Sequence, residues 1–358
     1  MLKIIDIYII KKFLGTFVFA IIIIVCFAIL FHMSEQIDDF MDAKAPIKAI
    51  FADYYISFIP YFANLFSHLF TLIAVVFFTA KMASNNEIIA VLSNGMSFNR
   101  LLLPYAISAV LIATFSFVLN SYVIPKTNIS KIEFENEYLK KNQNFLDRHI
   151  HKQINPGVYI YIETYNTINN IGYKFSIDQF ENGELKSKLI SDYVKWDTTL
   201  NKWAIFNYYI RTFTPQGEVF LKGDRKDTTL NILPEDFTRK INVIEAMNNS
   251  ELDHFIKQEQ MRGAENIETY MIEKYRRYAS PFAVFILTLI GVSLASRRRG
   301  GVGLNVGVGI GLSFAYILFM QVSSQFAISG NMNPMLAVWT PNIIFFITSI
   351  VLYYFAPK

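Results

Sequence analysis

The chain has 358 residues, 53% of them hydrophobic and 17% charged, with a formal net charge of +4. Soluble domains carry about 25% charged residues, so this balance speaks against a wholly soluble enzyme and excludes a disordered chain; one cysteine, Cys26, excludes a disulfide-stapled domain. Basic residues are too few and too scattered to form a nucleic-acid surface.

The first apolar run covers residues 13–31 without a charge. At about 1.5 Å per residue it crosses a hydrocarbon layer of roughly 30 Å. Lys3, Lys11 and Lys12 precede it in the manner of a signal peptide, yet the run is longer than a typical signal core and no small-x-small cleavage site follows. It reads as a retained transmembrane helix, with Cys26 as a small apolar residue facing lipid or packed inside. Further runs at 56–80, 101–123, 281–295 (extended upstream by 275–280), 302–322 and 336–355 bring the total to six spans. Lipid leaves no partner for an unpaired backbone group, so all six are read as helices. Pro60, Pro104, Pro281 and Pro341 are expected near span ends or in first turns. The segment 324–335, with Gly330, Asn331, Asn333 and Pro334, is expected to be a reversal. Few ionisable residues are expected deep within the spans, His68 being the principal one, so neither a proton relay nor a voltage sensor is suggested.

Basic residues set the orientation. With both termini cytoplasmic, that side receives Lys3, Lys11, Lys12, Lys81, Arg100, Arg297, Arg298, Arg299 and Lys358. The short outer loops receive only Lys44 and Lys48, among Glu35, Asp38, Asp39, Asp42 and Asp53. That asymmetry is a positive-inside signal.

Between the second and third spans, residues 81–100 read KMASNNEIIAVLSNGMSFNR. Asn85 or Asn86 is expected to cap a short helix from about Glu87, and Gly95 to stop it. Ile88, Ile89, Val91 and Leu92 give that helix an apolar side, suited to an intracellular partner's groove or to the bilayer surface.

Residues 124–262 read differently. Strands are expected at 158–163, 171–180, 185–195, 203–213 and 218–221, with turns at 166–170, 181–184 and 214–217. No long amphipathic helix separates them, so a sandwich or jellyroll is expected. The borders at 130–141, 251–261 and 267–278 look helical. Tyr159, Tyr161, Phe175, Phe180, Trp196, Trp203, Phe206, Tyr208 and Phe213 are candidates for its core or for a cargo surface. His149 and His151 form an H-x-H pair, but no third ligand completes a metal site; the chain offers no catalytic set and no metal site.

Residues 300–311 read GGVGLNVGVGIG. They lack a P-loop's Gly-Lys-Ser/Thr ending and enter a span rather than leave a strand. Gly303, Gly307, Gly311 and Ala315 instead recur on one helix face, a pattern for close helix contact or a sliding seam.

In this order the features resemble the LptF/LptG permease family, over the whole chain. The likeness rests on the basic N-terminus with Tyr8, Phe13 and Phe17, the stretch NNEIIAVLSNGMS at 85–97 followed by Arg100 and Pro104, and the large insert. A basic end to the fourth span and the glycine-rich fifth span complete it. The resemblance implies six transmembrane α-helices with a periplasmic β-jellyroll inserted between the third and fourth. The divisions are 1–123 with a cytoplasmic coupling helix near 84–95, 124–262 for the mostly periplasmic jellyroll, and 263–358. It implies a non-catalytic inner-membrane subunit of an ABC transporter that extracts lipopolysaccharide and passes it to a periplasmic bridge. Implied partners are a cytoplasmic ABC ATPase dimer holding ATP and Mg, a paralogous six-helix permease chain, a periplasmic jellyroll bridge and a single-span membrane protein; no cofactor is bound by this chain.

By the same resemblance Asn86, Glu87, Ile88, Leu92, Gly95 and Arg100 couple to the ATPase. Phe17, Ile24, Gly303, Gly307, Gly311 and Ala315 form the lateral gate. Family members often carry Lys or Arg near the outer end of the first span to meet lipid phosphates. Here His32 stands at that end, and Lys44 and Lys48 are the first outer basic residues; these three are the candidate headgroup contacts. The rival reading is a membrane-anchored scaffold or sensor whose β-domain binds a protein.

Overall fold

Each apolar run becomes a helix, and all but the last cover their run completely. The structure, a computed structural model, describes residues 3–139, 146–234, 237, 242–261, 267–296 and 301–356. Six helices are long and apolar enough to cross a membrane: α1 (Ile4–Asp42), α2 (Ile47–Ser84), α4 (Phe98–Leu139), α7 (Ile267–Ala295), α8 (Gly301–Ile328) and α9 (Pro334–Tyr354). The short α3 (Glu87–Ser93) joins α2 to α4, and α5 (Asn242–Glu245) and α6 (Asn249–Met261) precede α7. The basic triplet Arg297–Arg299 and Lys358 lie outside the described residues.

The overruns have local causes. No Gly or Pro occurs between His32 and Ala45, so α1 continues through its acidic tail. At its start the Lys3 N–H donates to Asp6 Oδ2 at 2.7 Å, tying off a backbone donor of the first turn. Because the helices begin upstream of the apolar runs, Pro60, Pro104, Pro281 and Pro341 lie inside helices and not in first turns, a correction to the sequence reading. Wider π-helical turns at Ile50–Tyr55 and Leu119–Val123 come just before Pro60 and Pro125, where a missing N–H already interrupts the ladder. The reversal expected at 324–335 narrows to 329–333: α8 runs to Ile328, Gly330 turns the chain at φ 74°, and the Asn333 side chain caps α9 by accepting from Met335 N–H at 2.9 Å.

The helical core is built on α2 and α7. Leu72 and Val75 on α2 and Ala283, Val284, Leu287 and Ile290 on α7 are fully buried. Gly291 lets the two helices approach: a Cβ there would stand 2.8 Å from Val75 Cγ1. Tyr316 on α8 donates to Asn342 Oδ1 on α9 at 2.9 Å, and the Asn342 amide donates to the Ala279 carbonyl of α7 at 3.2 Å. A buried polar triplet of this kind fixes helix register, because each group loses its partner if a helix turns.

The insert holds β1 (Leu146–Asn155), β2 (Val158–Asn166), β3 (Ile171–Glu181), β4 (Glu184–Asp197), β5 (Lys202–Thr214) and β6 (Gly217–Thr228). They form one antiparallel sheet in sequence order, an open sheet of the jellyroll-like kind expected. Asn182 and Gly183, both with positive φ, make the two-residue turn between Glu181 and Glu184. At the β4–β5 turn, bonds from the Thr199 hydroxyl and the Leu200 N–H hold the Asp197 carboxyl below its ordinary value. One face carries the core: Ile160, Ile162, Phe175, Val194, Trp203 and Ile205 are buried, and Trp203 Nε1 donates to the Ile232 carbonyl at 2.8 Å.

Strand β1 was not anticipated, since LDRHIHKQIN lacks an apolar alternation. Strand β6 is much longer than the expected 218–221. Its second half, KGDRKDT, reads as loop, yet it pairs with β5 along its length.

The chain divides into two compact units, one of residues 1–139, 245–250 and 268–358, the other of 140–244 and 251–267.

Candidate functional site

The loop between α2 and α4 folds as expected in extent and differently at its cap. α3 spans Glu87–Ser93, but Asn86 precedes it in the left-handed conformation at φ 61° and makes no side-chain cap. The Asn85 amide is no cap either: it donates to the Glu87 side chain, at Oε1, at 3.1 Å. Tyr8 of α1 reaches the other oxygen, Oη to Oε2 at 3.3 Å. Gly95 follows with φ 83°, a conformation that costs a side-chain-bearing residue energy. Ile88 is 1% exposed and plugs the helical core, Val91 and Leu92 pack at its margin, and Ile89 stands out at 48% exposure. The short helix is thus anchored by one residue and presents another.

Arg100 turns inward. Its guanidinium grips Asp6 with both arms, Nη1 to Oδ1 at 2.8 Å and Nη2 to Oδ2 at 2.6 Å, and Asp6 is 1% exposed. Its direct work is to fasten the start of α1 to the start of α4, beside the short helix. A forked pair of this geometry is among the stronger ionic contacts and is lost when Lys replaces Arg.

On α8 the glycines divide. Gly309 packs on Val76, where an added Cβ would stand at 3.0 Å. Gly303, Gly307 and Gly311 have nothing within 4 Å of such a Cβ, and Ala315 is exposed beside them. Of the two α1 residues grouped with them, Ile24 is half-buried, whereas Phe17 is buried against the chain's own core with Ile9 and Phe13. The open surface of α1 is carried instead by Phe19, Ile22, Ile23 and Phe27. Cys26 is exposed on the same helix.

At the other end of α1, His32 is enclosed by aromatic rings. The rings of Phe58 and Tyr54 lie 4.7 and 5.7 Å away, and Nδ1 is 3.5 Å from the Tyr55 hydroxyl. Lys44 and Lys48 are exposed. Of the insert's aromatics, Phe175 and Trp203 are core residues, while Tyr159 and Phe180 stand 44% and 40% exposed in edge-to-face contact. His149 and His151 both meet Tyr161, His149 Nδ1 at 3.0 Å from its hydroxyl.

α7 carries an ionisable cluster upstream of its apolar run. Glu273 Oε2 pairs with Arg276, and Oε1 accepts from Arg277 Nε at 3.2 Å. Arg277, 2% exposed, also donates to the Met247 carbonyl at 2.7 Å and to Asn249 Oδ1 at 3.2 Å. The sequence signal is E-x-x-R-R at helical spacing, in the segment that leads into the span. Beside this cluster lies a cavity of about 330 Å³ between α2, α4, α7 and α8, with Glu245 on its wall. Burial first, then the Glu273 carboxylate, push the Glu245 carboxyl above its ordinary value. His68 closes one side, its Nε2 3.0 Å from the Ser280 carbonyl.

A family model described as lipopolysaccharide export system permease LptF/LptG matches residues 7–354. Compared with individual curated proteins, the chain finds no match.

Proposed function

We propose, from the premise that this chain belongs to the LptF/LptG family of lipopolysaccharide export permeases, a division of labour among its surfaces. The chain is a permease subunit of a lipopolysaccharide-export ABC transporter, a multi-pass inner-membrane protein within a multi-subunit complex, and itself non-catalytic. Both termini and α3 face the cytoplasm, and the insert is mostly periplasmic; the clustering of Lys3, Lys11, Lys12, Lys81 and Arg100 on one side supports this.

Helix α3 is the coupling helix, held in a groove of one subunit of a cytoplasmic ATPase dimer that binds the ATP and Mg. Ile89 and Leu92 enter the groove, and Glu87 meets a basic residue there in a partly desolvated contact. Asn86 and Gly95 set its two ends, and Arg100 steadies it through Asp6. ATP-driven closure thereby moves α1 and α4 together, since the Asp6–Arg100 fork joins them.

The open face of α8, with Gly303, Gly307, Gly311 and Ala315, forms a lateral gate against the first span of a paralogous six-helix chain. Ile24 and its exposed neighbours on α1 serve the reciprocal seam, and Phe17 supports it from behind. Lipopolysaccharide enters between the two chains, its phosphates drawn by Lys44 and Lys48. His32, packed among rings, shapes that end of α1 and leaves headgroup contact to the lysines. Closing the space between the two chains drives the acyl chains to the insert, which passes them to a periplasmic jellyroll bridge with the help of a single-span membrane partner. Shelter is needed because exposing lipid tails to water costs about 0.8 kcal/mol per CH₂.

The observation that carries the coupling assignment is a seven-residue helix pinned by buried Ile88 while Ile89 remains at the surface. The test is purification of the tagged chain in mild detergent beside Glu87→Arg, with mass spectrometry of what stays bound. An ABC ATPase and a second six-span chain are expected, the ATPase alone being lost in the variant. Recovery of the chain with extracytoplasmic proteins only, unchanged by the variant, would favour a scaffold.

A further inference from the structure

The cavity beside the Glu273–Arg276–Arg277 cluster lies at one level of the membrane. Tyr61 on α2, Asn120 on α4, Arg276 on α7 and Gln321 on α8 all line it. Each lies about twenty positions along its helix from Lys81, Arg100, Ser296 and Gly301 respectively, at the opposite membrane face. Twenty residues of helix span roughly 30 Å, the hydrocarbon thickness, so the cavity sits at the depth of the far headgroups.

Its charges are arranged for a ligand that carries both signs. Glu273 is satisfied by the two arginines beside it. Arg276 spends one nitrogen on Glu273, makes no other hydrogen bond among the described residues, and lines the cavity with a side chain 49% exposed. The Glu245 carboxylate accepts no hydrogen bond from any described residue and lines the same cavity. A purely anionic ligand would meet Glu245 and Glu273, and a purely cationic one Arg276 and Arg277; each would face repulsion as well as attraction. Leu65, Phe66, Ile317 and Met320 complete the wall with apolar surface on α2 and α8.

We propose that this cavity is a headgroup site for a zwitterionic phospholipid, its phosphate on Arg276, its ammonium on Glu245, and its acyl chains leaving over Leu65, Phe66, Ile317 and Met320. A guanidinium suits a phosphate because its fork of donors matches the phosphate oxygens. An ammonium at Glu245 offsets the burial of that carboxylate. Only the choice of leaflet rests on the sidedness proposed above; the site itself does not depend on the transport assignment.

The test uses the full chain with whatever partners co-purify, reconstituted in nanodiscs containing a photoactivatable phosphatidylethanolamine, with labelled peptides mapped by mass spectrometry. Labelling is expected on the segment containing Ile317 and Met320, with excess phosphatidylethanolamine competing and inorganic phosphate or phosphatidylglycerol failing to compete. Arg276→Gln and Glu245→Gln should each reduce labelling roughly tenfold, the scale of one lost charge-assisted hydrogen bond. Ile317→Trp, which keeps every charge and fills the apolar wall, should reduce it as well and guards against a charge variant that misfolds. Equal competition by phosphatidylglycerol or by inorganic phosphate, or labelling unchanged in all three variants, would overturn the proposal. Displacement by lipopolysaccharide in preference to phosphatidylethanolamine would overturn it too, making the cavity part of the cargo route. ATPase retention in the same samples reports on the permease reading separately, so the two can fail independently.

Discussion

The fourth and fifth spans have similar length and nearly opposite surroundings. In its most apolar stretch α7 is 67% buried, whereas α8 is 22% buried and α1 only 17%. α7 is the inner post of the helical unit: it packs Gly291 on α2, clusters Ala283 with Leu72 and Val76, and carries the Glu273–Arg277 cluster. α8 holds one narrow strip to the chain, through Gly309, Ser313 and Tyr316, and turns Gly303, Gly307 and Gly311 away from it. Small residues inside a chain and small residues on its outside therefore answer different needs. The first set permits close packing within this fold, and the second leaves a smooth face that lipid or another helix can lie against.

The largest break in that contrast should come from α7. Arg277→Ala strips the buried partner from Glu273 and leaves the Met247 carbonyl short of a donor. It should cost about 3–5 kcal/mol, the scale for breaking a buried pair, read as a sharply lower unfolding temperature in detergent. Ile88→Ala repeats the contrast on the short helix: it removes a residue 1% exposed and should cost about 2–5 kcal/mol. Ile89→Ala, beside it, should leave unfolding unchanged and weaken retention of the ATPase. Gly291→Val forces a Cβ against Val75 and Leu72 and should cost about 1–3 kcal/mol by overpacking. The smallest effect on stability belongs to Gly307→Leu, which meets nothing within 4 Å and should stay within about 0.5 kcal/mol. It should nevertheless reduce co-purification of the second permease chain. If Gly307→Leu unfolds the isolated chain as Gly291→Val does, the distinction between the two spans fails.

Hydropathy alone revealed the spans because a 30 Å apolar layer demands unbroken apolar runs, and only helices satisfy the backbone there. The strands from β2 to β5 were legible for a related reason: VYIYIE and its successors pair apolar alternation with Asn-Gly-type turns. β1 and most of β6 were not, because they are edge strands rich in His, Lys, Arg and Asp, in which few apolar residues mark a buried face. The extent of α3 followed from Glu87 and Gly95, whereas in place of the expected cap Asn85 reaches Glu87 by a side-chain contact that propensity cannot reveal.

For the candidate site residues, spacing along a helix was legible and the direction of each side chain was not. Spacing put Gly303, Gly307 and Gly311 on one face but could not say that Gly309 faces inward. Phe17 and His32 carry the right chemistry for an exposed role, yet Phe17 is packed inside and His32 is half-buried among rings, because helix phase relative to neighbours is a tertiary property. Arg100 and Asp6 are 94 positions apart, and no local pattern joins them.

The most direct test of the central claim, that the open faces of α1 and α8 are reserved for a second permease chain, is photocrosslinking in native membranes. A photoreactive residue at Leu304, 62% exposed beside the glycine face, is compared with one at Gly309, which packs on Val76. Position 304 should yield an adduct with a second six-span chain, mapped to that chain's first span, while position 309 yields only crosslinks within this chain. Adducts to lipid alone at position 304, with no second chain captured at Ile23 or Phe27 of α1 either, would contradict the account.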